Sequence, residues 1–125
     1  MPNPALNQTT IILVDDDPMV LTALTLLLET LSFRVTSFSS GQEAILYLAT
    51  GGKASLFLCD LKMPGMNGMD TLAKVMEIAP EVPFILISAH ATREEVRLAM
   101  QKGARGFLGK PFSPEELENL CGKIA

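Results

Sequence analysis

No apolar stretch in the chain approaches the roughly 18 residues that a membrane span needs. The first ten residues, MPNPALNQTT, also lack the basic-then-apolar order of an export signal. Membrane insertion and secretion are therefore not indicated, and a cytoplasmic setting is the expectation. Cysteine is scarce. Cys59 and Cys121 are the only two and form no CxxC pair, which argues against a disulfide framework or thiolate zinc site and for two reduced core thiols. The single histidine, His90, makes a poor metal site alone. Basic residues are in the minority, 10 Lys and Arg against 14 Asp and Glu, for a net charge of −4. Without clustered cations to meet phosphates, direct nucleic-acid binding by this domain is argued against. There is no GxxxxGK[ST] string, and three acids stand where a dinucleotide fold would place its glycine-rich phosphate loop. Internal repeats, low-complexity tracts and interdomain linkers are missing too. Residues 1–9 read as an N-terminal tail and 10–125 as one domain, long enough to bury about two-thirds of its unfolded surface.

What the chain does have is a regular alternation. Short apolar runs occur at Ile11–Val14, Phe33–Thr36, Leu56–Cys59, Phe84–Ile87 and Gly106–Leu108, mostly continuous in polarity, as strands buried on both faces should be. Between them lie stripes of helical period: Val20, Leu24, Leu27, Leu28 and Leu31; Leu72, Val75, Met76 and Ala79; Val96, Ala99, Met100 and Gly103; Leu117, Leu120, Cys121 and Ile124. A further helix is predicted over Gly41–Ala49. Helix starts are marked by Ser40 with Glu43, Thr92 with Glu95, and Ser113 with Pro114 and Glu116, while Asp17 before Pro18 reads as an N-cap. The pattern predicts an α/β, doubly wound sheet of five parallel strands with helices on both faces.

Such sheets bind ligands beyond the carboxyl ends of their strands. Asp15-Asp16-Asp17 follow the first strand, Asp60 the third, Ser88 ends the fourth, and Lys110 comes just after the fifth. Carboxylates, a hydroxyl and an ammonium therefore converge on one edge. An all-oxygen acidic set suits Mg²⁺ and its usual companion, a phosphoryl group. This explains why three like charges crowd the end of a buried strand.

The strings ILVDDDP, LCDLKMPGMNG, ILISAHA and GFLGKPF stand in this order, with 44, 28 and 22 residues separating Asp16, Asp60, Ser88 and Lys110. Together they resemble the receiver domain of bacterial two-component response regulators over nearly the whole chain. The resemblance implies a flavodoxin-like sheet of order 2-1-3-4-5 flanked by five helices. It implies Asp60 as the phosphoacceptor for a histidine kinase or phosphotransfer protein, and Mg²⁺, or Mn²⁺ in its place, held by Asp15, Asp16, Asp60 and the backbone carbonyl of Lys62. Ser88 becomes the switch hydroxyl, Lys110 the phosphate partner, paired with Asp60 at rest, and Phe107 the switch aromatic. Lys62 and His90 border the acyl phosphate and tune its hydrolysis, and Pro111 fixes the turn that aims Lys110. The protein would then be a signalling switch, not an enzyme beyond its own phosphotransfer and dephosphorylation. The resemblance leaves open the output domain or protein, a phosphorylation-dependent homodimer, and whether the domain stands free.

Plainer readings compete at several positions. Capping explains Asp17 without function. Phe107 also fits ordinary core packing, Arg93, Arg97, Lys102 and Arg105 a solvated helix face, and Met63, Met66 and Met69 loop and core filling. A Mg²⁺ phosphatase that forms an aspartyl phosphate would carry a second acid two residues after its nucleophile, where this chain has Lys62.

Overall fold

The structure, a computed structural model, describes residues 9–110 and 112–124. The predicted tail up to Gln8, the turn proline Pro111, and the side chains of Cys121 and Ile124 lie outside the described residues. Strands and helices alternate: β1 (Thr10–Val14), α1 (Pro18–Thr30), β2 (Arg34–Phe38), α2 (Gly41–Ala49), β3 (Leu56–Asp60), α3 (Gly68–Ile78), β4 (Phe84–Ser88), α4 (Arg93–Gln101), β5 (Gly106–Gly109) and α5 (Pro114–Ile124). Every ladder is parallel and the order is β2-β1-β3-β4-β5, the doubly wound arrangement expected.

The continuous apolar runs follow from burial on both sides. Successive side chains of a strand point to opposite faces, so both sets must be apolar when both faces are covered. Ile12, Val14, Phe57, Cys59, Phe84 and Leu86 pack with Ala44 of α2, Leu72 and Val75 of α3 and Ala99 of α4. Their neighbours Ile11, Leu13, Leu56, Leu58, Ile85 and Ile87 pack on the other face with Leu24 and Leu28 of α1 and Leu117 of α5. Each large side chain so buried contributes about 1.5–3 kcal/mol. Register places Phe57 beside Phe84, and their rings stack at 4.8 Å and 12°.

Two expectations need correction. The second strand runs Arg34–Phe38, not Phe33–Thr36. Phe33 is only 3% exposed and precedes the ladder, its N–H donating to Leu28 O at 3.0 Å where α1 ends. It plugs the core while the edge strand beyond it is only half-buried. Met100, placed in the apolar stripe of α4, is 46% exposed; Ala99 makes the inward contact of this short helix.

The anticipated caps form at Ser40, Thr92 and Ser113. A further capping box opens α3: Asn67 Oδ1 accepts from the Asp70 N–H at 2.9 Å, and Asp70 Oδ2 from the Asn67 N–H at 3.2 Å. Each such cap contributes about 1 kcal/mol. Because all strands run the same way, every loop leaving a strand opens at one rim of the sheet, and every loop entering a strand lies at the other.

Candidate functional site

The site sits on the rim where strands end. The Asp15 N–H donates to Phe38 O at 3.2 Å, which ties the end of β1 to the end of β2. The Asp15 side chain is 1% exposed and fully engaged: Oδ1 accepts from the Asp17 N–H at 2.9 Å and Oδ2 from Lys110 Nζ at 3.0 Å. Asp16 is exposed. Asp17 Oδ1 accepts from the Met19 N–H at 2.9 Å, so it caps α1 as the plainer reading held.

Asp60, at the end of β3, is 8% exposed. Burial pushes its carboxyl above the usual carboxylate range. The Lys110 ammonium opposes that shift, Asp15 adds to it, the Lys62 backbone N–H opposes it, and Asp16 adds to it again. The loop that follows folds back over the strand end. Gly65 turns it at φ +71°, and Gly68 presses so close that a Cβ there would stand 2.6 Å from Asp60 O. The Gly68 N–H donates to Leu61 O at 3.0 Å and the Leu61 N–H to Ile87 O at 2.8 Å, which fixes the phosphoacceptor candidate between two strands.

Oxygens of Asp15, Asp16 and Asp60 lie within 4.8 Å of one another. At that separation two unit charges repel by about 3 kcal/mol at an effective dielectric near 20. Lys110, 3.0 Å from Asp15 and 3.8 Å from Asp60, is a single cation against three anions. Its nearer partner is Asp15 rather than the expected Asp60. The remaining negative charge, on oxygen donors alone, fits a hard divalent cation.

Ser88 is 2% exposed at the end of β4. Its Oγ accepts from the His90 N–H at 3.2 Å, and its carbonyl accepts from the Lys110 N–H at 2.9 Å, so the main chain of β4 carries the lysine. Phe107 lies opposite Leu86, half-buried on the α2–α3–α4 face. His90 is exposed. Of the four basic residues on the fourth-helix side, Arg97 pairs with Glu94 on its own helix, while Arg93, Lys102 and Arg105 have no ion pair among the described residues.

The family model for the response regulator receiver domain matches residues 11–121. The chain belongs to that family. The phosphoryl-accepting switch is its general function. The chain is 32% identical over 116 residues to the two-component response regulator ORR3 of Oryza sativa subsp. indica, covering 91% of this chain and 88% of that one. It is 35% identical over 107 residues to DctD of Rhizobium meliloti, a C4-dicarboxylate transport transcriptional regulatory protein, but spans only 23% of its length. Among solved structures, the receiver domain of sensor histidine kinase PA1611 from Pseudomonas aeruginosa, with magnesium coordinated in its active-site cleft, superimposes at a TM-score of 0.83 with 26% identity over 93% of this chain and 96% of that one. Vibrio cholerae chemotaxis protein CheY4 shares the fold at a TM-score of 0.86, with 23% identity and coverage of 94% and 98%.

The rim thus gathers oxygens of Asp15, Asp16 and Asp60 within 4.8 Å of one another, with Lys110 paired to Asp15 and Asp60 and Ser88 tied to Lys110 through the backbone. Sequence reasoning missed Glu95 as the ionic partner of Lys62, at 2.5 Å. These residues are 33 apart on different elements, and no local pattern links them. Asn67 with Asp70 was also missed, although the Asn-x-x-Asp spacing was a readable signal. Cys59 is buried, and burial pushes its thiol far up, which keeps it protonated and inert. No helix among the described residues is long and apolar enough to cross a membrane.

Proposed function

We propose that this receiver works as a Mg²⁺-dependent cytoplasmic switch, phosphorylated on Asp60 by a histidine kinase or phosphotransfer protein. The observation that carries the reading is the cluster of three carboxylates within 4.8 Å beside the Lys110 ammonium. Asp60 supplies the nucleophile: a carboxylate oxygen bonds to phosphorus while the phosphorus–nitrogen bond of the donor phosphohistidine breaks and the imidazole leaves. Asp15, Asp16, Asp60 and the backbone carbonyl of Lys62 would hold the cation, which when bound neutralises charge between nucleophile and phosphoryl oxygens. Lys110 pairs with the acyl phosphate, and its backbone bond to Ser88 keeps it at that edge.

The Ser88 hydroxyl then donates to a phosphoryl oxygen, drawing its loop inward, and Phe107 fills the space left behind. The face of α4, β5 and α5 changes shape as a result and meets an output partner or a second copy. Moving such an equilibrium from 1:99 to 99:1 takes about 5.5 kcal/mol. One neutral hydrogen bond contributes about 1 kcal/mol, so the charge contact of Lys110 must carry much of the change. Beyond its own phosphorylation and hydrolysis the domain is not an enzyme in this reading.

Incubation with acetyl phosphate and Mg²⁺ tests it. Mass spectrometry should place one label on Asp60. Label that survives Asp60→Asn, or that forms with the metal chelated, would sink the reading.

A further inference from the structure

Lys62 stands two residues beyond Asp60, and its two ends serve different neighbours. Its backbone N–H supports the charged Asp60 carboxylate. Its side chain crosses to α4, where Nζ donates to Glu95 Oε2 at 2.5 Å. Among the described residues this is the sole ion pair joining the loop after β3 to α4. Glu95 is itself held. Its Oε1 accepts from the Thr92 N–H at 3.0 Å, and its own N–H donates to Thr92 Oγ1 at 3.1 Å. The capping box therefore aims a fixed carboxylate at a flexible lysine across a groove of about 370 Å³ floored by Leu61, Met63, Pro64, Asn67 and Met69. A lysine on a four-carbon stem with three rotatable donors can serve either of two acceptors. The second acceptor, two residues back at the end of β3, is whatever Asp60 carries.

Resting on the reading that Asp60 takes a phosphoryl group, we propose that Glu95 is a positioning residue, which anchors the Lys62 ammonium on α4 and keeps it off the phosphorylated Asp60. The phosphoryl group then stays open to water. In hydrolysis the water oxygen bonds to phosphorus, the bond from phosphorus to the Asp60 oxygen breaks, the water proton passes to solvent and inorganic phosphate leaves. Released from Glu95, the ammonium pairs with the phosphoryl oxygens and occupies the approach that water needs. Glu95 thus shortens the life of the signal without touching the reacting atoms.

The test is a lifetime measurement on the full chain, phosphorylated with acetyl phosphate and Mg²⁺, freed of donor and followed by phosphate release. Glu95→Gln keeps a carbonyl able to accept from Thr92, so the cap survives while the charge is lost. It should lengthen the lifetime about two- to fivefold, the range by which a solvent-exposed ion pair shifts an equilibrium. In a Lys62→Met background the same change should do nothing further, and Thr92→Ala, which loses the Oγ1 acceptor of the cap but keeps the residue-92 N–H that holds Glu95 Oε1, and with it the charge pair, should match the wild type. In the unmodified protein, Glu95→Gln should also shift the Lys62 side-chain NMR signals. An unchanged lifetime, an equal effect in Lys62→Met, a Thr92→Ala that reproduces Glu95→Gln, or unmoved Lys62 signals would each overturn the proposal. A wild-type chain that takes no label at Asp60 overturns the phosphoacceptor reading as well; a labelled chain whose lifetime ignores Glu95 overturns this proposal alone.

Discussion

The Lys110 ammonium is closer to Asp15, at 3.0 Å, than to Asp60, at 3.8 Å. At rest the lysine chiefly keeps a fully buried carboxylate paired. Lys110→Ala should therefore destabilise the fold by about 1–3 kcal/mol, the cost of leaving a buried charged acceptor unmet. Urea unfolding measures it. The loss should shrink in an Asp15→Asn background; an equal loss there would mean that Asp15 is not the partner that matters.

Asp60 titrates higher in the folded chain than in the unfolded one. Its ionised form therefore opposes folding above the raised pKa, and the opposition fades as pH falls through that value toward the ordinary carboxylate range. In chelator near neutral pH, Asp60→Asn should melt a few degrees above the wild type. Calorimetry across pH should show the gap closing toward acid. A gap that widens on acidification would contradict the charge argument.

Metal binding should relieve the same repulsion. The melting temperature should rise with added Mg²⁺, and rise less in Asp16→Asn, which loses one donor and one repelling charge together. Titration followed by thermal melting decides the matter. An unaltered metal response in that variant would move the cation site away from the end of β1.

Ser88→Ala removes the hydroxyl but leaves the Ser88 carbonyl that accepts from the Lys110 N–H. The variant should accept phosphate, with Lys110 still in place, yet transmit poorly. Amide NMR shifts in α4 and β5 on phosphorylation should be clearly smaller than in the wild type. Full-sized shifts would remove the hydroxyl from the route.

Gly68→Ala sets two effects against each other. Alanine gains about 1 kcal/mol of helix propensity over glycine. The new Cβ, however, would stand 2.6 Å from Asp60 O and 2.7 Å from Leu86 Cδ2. Overpacking of this kind costs about 1–3 kcal/mol, and the three nearest atoms, Asp60 O, Leu61 Cα and Leu86 Cδ2, are all backbone or buried core atoms that cannot easily yield. Net destabilisation and slower labelling of Asp60 are expected, by denaturant melts and label uptake. A stabilised variant would show that the loop can retreat without harm.

Much of this was readable in the residues, for definite reasons. Strands β1, β3 and β4 announce themselves because both faces are covered and all positions but one terminal residue in each, Thr10, Asp60 and Ser88, are apolar. β2 is harder: it is an edge strand, half in water, so its polarity pattern is blurred and Phe33 looks like its first member. The acids and Lys110 were legible as a convergence because strand ends share a rim. Which carboxylate the lysine prefers was not, since a difference of 3.0 and 3.8 Å depends on side-chain reach and main-chain anchoring. The bond from Lys62 to Glu95 was equally hidden, because only the crossover through β4 brings those positions together.

The shared direction of the strands also decides where anything joined to this fold must stand. β1 enters the sheet at the rim opposite Asp60, and α5, leaving β5 at the reacting rim, runs back toward that opposite rim. Strands of five residues separate the two rims by roughly 17 Å at about 3.3 Å per residue. A tether, a fused fluorophore or a second domain attached beyond Thr10 or Ile124 is therefore held at arm's length from the chemistry. On the reading that Asp60 is phosphorylated, its state would reach such an attachment through the flank of the molecule, and a reporter fitted there should leave the charge cluster undisturbed.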